Sequence, residues 1–96
     1  MRGKRKLTWS RQAREQWAEI LRFYTKRNGS ADYSRRLNKK LRAILQMFQR
    51  WPKIGEVTDG NDNYRRHTFG YYAVYYWITD NGIEIAEIRD GRRGDE

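Results

Sequence analysis

Arg65, Arg66 and His67 stand side by side, and His67 is the only histidine in the 96 residues. An imidazole titrates near neutrality and can take or give a proton. A guanidinium stays protonated, and its planar fork pairs phosphate oxygens. Such a set suits a phosphodiester. Cleaving RNA by its own 2′-hydroxyl needs a group to remove that proton, a group to protonate the leaving 5′-oxygen, and cations against the charge on phosphorus. Arg89, Arg92 and Arg93 supply further cations if the strands that carry these residues expose them on one face. Side chains alternate along a strand, so Arg65 and His67 share one face while Arg66 takes the other with Tyr64 and Thr68. Only one of the two neighbouring arginines need be functional. The plainer reading of His67, a half-exposed strand histidine with no catalytic duty, stands beside the acid–base one.

The composition frames these candidates. Lys and Arg number 21 against 12 Asp and Glu, a formal charge of +9 that suits RNA, DNA or an acidic protein as partner. With no cysteine there is neither a disulfide nor a thiolate metal site, which fits a reducing cytosol, and no cofactor or metal is expected. Basic residues open the chain, but Leu7-Thr8-Trp9-Ser10 is not the apolar run of a signal peptide, and no stretch is long enough to span a membrane. The expectation is a cytoplasmic protein of one domain, 1–96, with tails at 1–5 and 91–96.

The elements that must position the candidates follow from period and punctuation. Lys6 to Trp9 reads as a short strand, and Ser10 as the N-cap of a helix with Ala13, Trp17, Ile20, Leu21 and Tyr24 at helical spacing. Asn28-Gly29 stops it. Ser30, with Asp32 in the first turn, opens a second helix with an apolar stripe of Tyr33, Leu37, Leu41, Ile44, Leu45 and Phe48, ended by Pro52. Arg35, Arg36, Lys39, Lys40 and Arg42 then lie on wetter faces. Trp51 to Asn63 reads as loop. Tyr64 to Phe69, Tyr71 to Thr79 and Ile83 to Ile88 read as strands, with Asn81-Gly82 as a type I′ hairpin signal. The fold class is α+β: a short N-terminal strand, two antiparallel helices, then a three-stranded antiparallel meander packed against them. Alternation sends about half of Tyr71, Tyr72, Tyr75, Tyr76 and Trp77 into the core, leaving one or two as possible base-stacking residues.

The ordered set Leu7-Thr8-Trp9-Ser10 with Ala13, Tyr24, Arg27-Asn28-Gly29-Ser30, Trp51-Pro52-Lys53-Ile54-Gly55, Tyr64-Arg65-Arg66, Tyr72-Ala73-Val74-Tyr75-Tyr76 and Ile88-Arg89-Asp90-Gly91-Arg92-Arg93 resembles the RelE/ParE toxin superfamily over nearly the whole chain. That resemblance implies the toxin of a bacterial type II toxin–antitoxin pair, held in a hetero-oligomer by a cognate antitoxin. Relatives of one kind are ribosome-dependent, metal-independent endoribonucleases of mRNA, and those of the ParE kind inhibit DNA gyrase. For a nuclease, the candidates are Arg65, His67 and Arg89 by their chemistry, and Glu56 because some nuclease relatives carry an acidic residue there. For target or nucleic-acid contact the candidates are Arg66, Arg92 and Arg93. Ala73 stands where several nucleases have an arginine, and Gly91-Arg92-Arg93-Gly94 stands where they place a His-Tyr pair or a catalytic Tyr. The closing Arg-Asp-Gly-Arg-Arg is similar to ParE-like endings, so the ParE-like reading leads and the ribosome/mRNA one is the alternative.

Overall fold

Ser10 ends one element and starts the next. The computed structural model describes residues 5–91, and in it strand β1 (Lys6–Trp9) runs directly into helix α1 (Arg11–Asn28). The Ser10 hydroxyl accepts from the Ala13 amide at 2.9 Å, which satisfies one of the open donors of the first turn. It also donates to the carbonyl of Ala86, at 2.9 Å, 76 residues away. Gly29 closes α1 in the left-handed conformation (φ +69°), its amide bonded to the Thr25 carbonyl. Helix α2 (Asp32–Arg50) has Ala31 at its cap position, and Ser30, one residue earlier, accepts the Asp32 amide instead.

Strands β2 (Glu56–Thr58), β3 (Asn61–Phe69), β4 (Tyr72–Ile78) and β5 (Gly82–Asp90) complete a five-stranded sheet of order β1-β5-β4-β3-β2. Strands β3, β4 and β5 form the expected antiparallel meander. Strand β1 adds to it in parallel, with Leu7 opposite Ile83, and β2 adds an antiparallel edge.

Two sequence expectations need correction. The segment from Trp51 to Asn63 is not a plain loop: a single 3-10 turn (Pro52–Ile54) leads into β2, and β3 begins at Asn61. Its turn-forming residues belong to one tight corner, where Asp59 (φ +61°) and Gly60 (φ +70°) both take the positive φ of a type I′ hairpin. That geometry is absent from Asn81-Gly82, neither of which has positive φ. Gly82 answers to a different constraint, since a Cβ there would collide with the Lys6 carbonyl of the parallel neighbour. At the two ends of the described residues, the Arg5 carbonyl accepts from Gln49 at 2.7 Å, and the Gly91 amide donates to the Tyr71 carbonyl at 2.7 Å.

Both helices lie on one face of the sheet. The core is Ala13, Trp17, Ile20 and Tyr24 from α1, Leu37, Leu41, Leu45 and Phe48 from α2, and Tyr72, Val74, Tyr76, Ile83, Ile85 and Ile88 from the sheet. Its polar atoms are paired: Trp17 donates to Asn38 at 2.8 Å, and Tyr24 donates to the buried Asp90 carboxylate at 2.9 Å. A bulge between Tyr75 and Tyr76 leaves Ala86 as the extra residue of β5, and its carbonyl is the one that receives Ser10.

Because Ser10 caps α1 and ties it to the sheet, Ser10→Ala is expected to cost about 1–2 kcal/mol. A domain of this size should then melt roughly 5–10 °C lower. Thermal unfolding followed by circular dichroism checks this, and an unchanged midpoint would show that neither bond matters to stability.

Candidate functional site

The four residues expected to serve a nuclease do not converge. Arg65 and His67 point to the helix side of β3, whereas Glu56, Arg66 and Arg89 lie on the opposite, outer face of the sheet.

Arg65 is 8% exposed and faces backbone rather than solvent. Its Nη1 donates to the carbonyls of Lys53 (3.2 Å) and Gly55 (2.9 Å), its Nε to the Asp62 carbonyl (2.9 Å), and its Nη2 to the Asp62 carboxylate (2.9 Å). Four of about five guanidinium donors are thereby committed. The Tyr76 hydroxyl works on the same turn from the other side. It donates to the Pro52 carbonyl at 2.6 Å and accepts the Gly55 amide at 2.9 Å. Gly55 has to be glycine, since a Cβ would meet the Tyr76 oxygen at 2.7 Å. The Pro52-Lys53-Ile54-Gly55 turn is thus held by one guanidinium and one phenol. His67 packs edge-on against Phe48, with ring centroids 5.6 Å apart.

Burial pushes the Tyr76 phenol upward, while the Gly55 amide and the Arg65 charge pull it down by less. A phenol raised in the fold contributes stability that is whole below the unfolded value, near 10, and is lost as pH rises through the folded one. Tyr76→Phe strands the Gly55 amide and the Pro52 carbonyl, at about 1–3 kcal/mol. The gap in thermal midpoint between wild type and Tyr76→Phe should therefore hold steady from neutrality to about pH 9 and narrow above about pH 10. A gap that does not change with pH would contradict the assignment.

On the outer face the register lines up Glu56, Arg66, Tyr75 and Glu87 across four strands, with Tyr64 opposite Trp77 on one side and Ala73 opposite Arg89 on the other. Tyr64 lies against Trp77 (centroids 4.4 Å apart) and stacks on Tyr75 (6.1 Å), and the Arg89 guanidinium sits 5.2 Å over the Tyr75 ring. Three half-buried aromatics on a solvent-facing sheet are the feature sequence reasoning missed. It named Tyr75 and Trp77 as stacking candidates but left Tyr64 out, although strand alternation placed that ring on the same side as Arg66. Each cation here has a carboxylate neighbour: Arg89 bonds Glu87 at 2.6 Å, and Arg66 lies 4.0 Å from Glu56. The hydrogen bond and charge of Glu87 raise the Arg89 guanidinium. Tyr64 is also raised, by burial first and then by Glu87, which moves its phenol further from neutrality.

The charge is unevenly laid out. Residues 11–50 carry eleven Lys and Arg against three Asp and Glu, and residues 51–91 carry four against seven. The basic field therefore originates in the helical layer and not on the sheet. Arg92 and Arg93 lie outside the described residues. Among the described residues no His, Cys, Asp and Glu side chains gather in the threes a metal ion needs, and no helix is long and apolar enough to cross a membrane.

A family model, "ParE toxin of type II toxin-antitoxin system, parDE", matches residues 7–94. The chain belongs to the ParE toxin family. Among solved structures the fold is similar to that of the chromosomal ParDE toxin–antitoxin system from P. aeruginosa, with TM-score 0.74 and 16% identity, covering 91% of this chain and 96% of that one. It is also similar to the YoeB dimer from Staphylococcus aureus, with TM-score 0.61 and 23% identity, covering 88% and 94%. No curated protein matches by sequence. A ParE-family toxin is the toxin component of a type II pair, and the strand–helix–helix–meander order read from the sequence is the order this fold has.

In this ParE-family chain a second surface faces away from the aromatic patch. Between α2 and the turn joining β3 to β4 runs a groove of about 560 Å³ with an apolar floor of Tyr33, Leu37, Ile44, Phe69 and Tyr72. Arg36 and Lys40 stand at its rim.

Proposed function

We propose that this toxin arrests growth by gripping a protein target, with DNA gyrase the first candidate, through the outer face of its sheet, and that a cognate antitoxin silences it. The observation that carries the reading is the Tyr64, Tyr75 and Trp77 patch, set among charges that already neutralise one another. Large aromatics with an arginine beside them are the residues that dominate protein interfaces. The same face is poorly equipped for acid–base chemistry, because burial moves the Tyr64 phenol further from neutrality and the guanidinium charge is matched by carboxylates. Purified toxin is expected to inhibit gyrase supercoiling. Trp77→Ala, a truncation of a half-buried surface ring, should weaken inhibition roughly 30-fold or more, as loss of an interface hot spot does. No inhibition by wild type at micromolar levels would remove gyrase, and full potency in a folded Trp77→Ala variant would remove this face.

A second reading, a ribosome-dependent endoribonuclease, draws on the Glu56 carboxylate and the Arg66 guanidinium lying 4.0 Å apart on an exposed edge. Mapping of mRNA ends on ribosomes after brief expression decides it, since intact messages in arrested cells would eliminate cleavage.

For the antitoxin, the groove beside α2 suits an amphipathic, acidic segment, with apolar anchors on its floor and carboxylates at Arg36 and Lys40. Association should slow as salt rises, because a field of one sign steers an oppositely charged chain. A rate insensitive both to salt and to Arg36→Glu with Lys40→Glu would mean that charge does not guide this partner.

A further inference from the structure

The solvent face of α2 is dominated by cations. From Tyr33 onward its exposed positions are Arg35, Arg36, Lys39, Lys40, Arg42 and Arg50, with only Ala43 and Gln46 besides. No carboxylate falls between Asp32 and the helix end. Asp32 pairs with Arg35 at 3.0 Å, but both side chains are 73% exposed, and a pair so wet neutralises little. Among the described residues no ion pair reaches Arg36, Lys39, Lys40 or Arg42.

Helical spacing splits these cations into two sets. Arg36 and Lys40 lean to the groove, where an apolar floor lies beside them. Arg35, Lys39 and Arg42 form a row pointing out from the core, and Arg50 continues it at its C-terminal end, where its guanidinium lies 5.2 Å over the exposed Trp51 ring. At 1.5 Å per residue that row is about 22 Å long. Its intervening positions are small or amide side chains, Ala43 and Gln46, with no large apolar residue among them. A protein partner would need apolar anchors at the centre of its footprint. A phosphodiester backbone needs none, because counterion release from neutralised phosphates supplies the binding free energy.

We propose that the outward row of α2 binds the phosphodiester backbone of a nucleic acid without reading its sequence. This site is separate from the aromatic face of the sheet and from the groove, and it does not depend on the identity of the protein target. It would hold the toxin on a polyanion while the opposite side of the molecule stays open.

The test is fluorescence anisotropy of the full chain with a labelled duplex of arbitrary sequence, about 20 base pairs, over a series of salt concentrations. The variants are R35Q/K39Q/R42Q and, as a control on α1, R14Q/R22Q. Removing three phosphate contacts should reduce the slope of log K against log salt by about 2–3, at roughly 0.9 per contact. The α1 variant should leave the slope unchanged. All five positions are solvent-accessible, and equal thermal midpoints confirm that fold is not at issue. A single-stranded RNA of equal length runs in parallel, and preference for either nucleic acid supports the proposal while naming the source of the phosphates. Failure of wild type to bind either at about 50 mM salt, or the same slope in the triple variant, overturns it. So does a triple variant that loses only an acidic polyglutamate peptide and keeps the duplex, which would make the row a protein contact.

Discussion

Replacing Arg65 with methionine is expected to cost the fold about 3 kcal/mol or more, the largest single effect among the arginines. Methionine keeps the length and fills the space, but it supplies no donor. The carbonyls of Lys53, Gly55 and Asp62 then lose their charged partner, the Gly55 one in a buried position and the other two in partly buried ones. Hydrogen bonds to a charged group contribute about 1.5–3 kcal/mol each, and three that share one side chain do not simply add. The Asp62 carboxylate, 68% exposed, is hydrated once alone and adds little. Against a total stability of about 5–15 kcal/mol the loss is severe. It should lower the thermal midpoint by roughly 12–20 °C. Urea unfolding measures the effect, with Arg65→Lys intermediate because an ammonium can reach some of the carbonyls. The measurement also separates two roles for this residue. If Arg65 acts on a phosphate, the methionine variant will melt like wild type and lose its toxicity. If it braces the turn, toxicity at low temperature will survive and fail only as the protein unfolds.

Phe48→Ala should be comparably damaging, at about 3–5 kcal/mol, for a different reason. Phe48 is wholly buried, stacks on Tyr76 with centroids 4.0 Å apart, and meets the His67 ring edge-on. Its removal opens a cavity where α2 presses on β3 and β4, and it frees the ring that pins the Pro52–Gly55 turn. The effects of Phe48→Ala and Tyr76→Phe should therefore not add: residues in contact couple by about 0.5–3 kcal/mol. A double-mutant cycle by chemical denaturation checks this. Additivity would mean that the turn and the core are independent of one another.

The sequence was most legible where a period repeated. Helical spacing from Ala13 to Tyr24 and from Tyr33 to Phe48 was enough to place both helices, and Ser10 and Gly29 marked the ends of the first one. It was least legible in 51–63, because a three-residue strand has too few positions to show alternation and its turn residues drown the signal. The Asn81-Gly82 pair illustrates a different ambiguity. Glycine permits positive φ, but it also permits close approach, and only the neighbour across the sheet, Lys6, shows which one is used. Arg65 and Arg66 were correctly split between faces by alternation. Which face mattered could not be read, because the Gly55 carbonyl and the Tyr76 hydroxyl that shape the inner environment are ten or more residues away in sequence. The net charge of +9 does not say where the charge lies, and the counts on either side of Trp51 put the excess on the helices.

The parallel pairing of β1 with β5 bears on when this toxin becomes dangerous. A chain emerges from the ribosome at about 5–20 residues per second, N-terminal elements first. Leu7 and Trp9 wait for Ile83 and Ile85, and the Ser10 hydroxyl waits for the Ala86 carbonyl, so an early segment depends on one made more than seventy residues later. Contacts of such sequence separation form late, since the loop between them must first be closed. The sheet is therefore completed only once β5 has cleared the exit tunnel, and until then β1 and the start of α1 lack the strand that holds them, so the toxin's fold is finished late in its making.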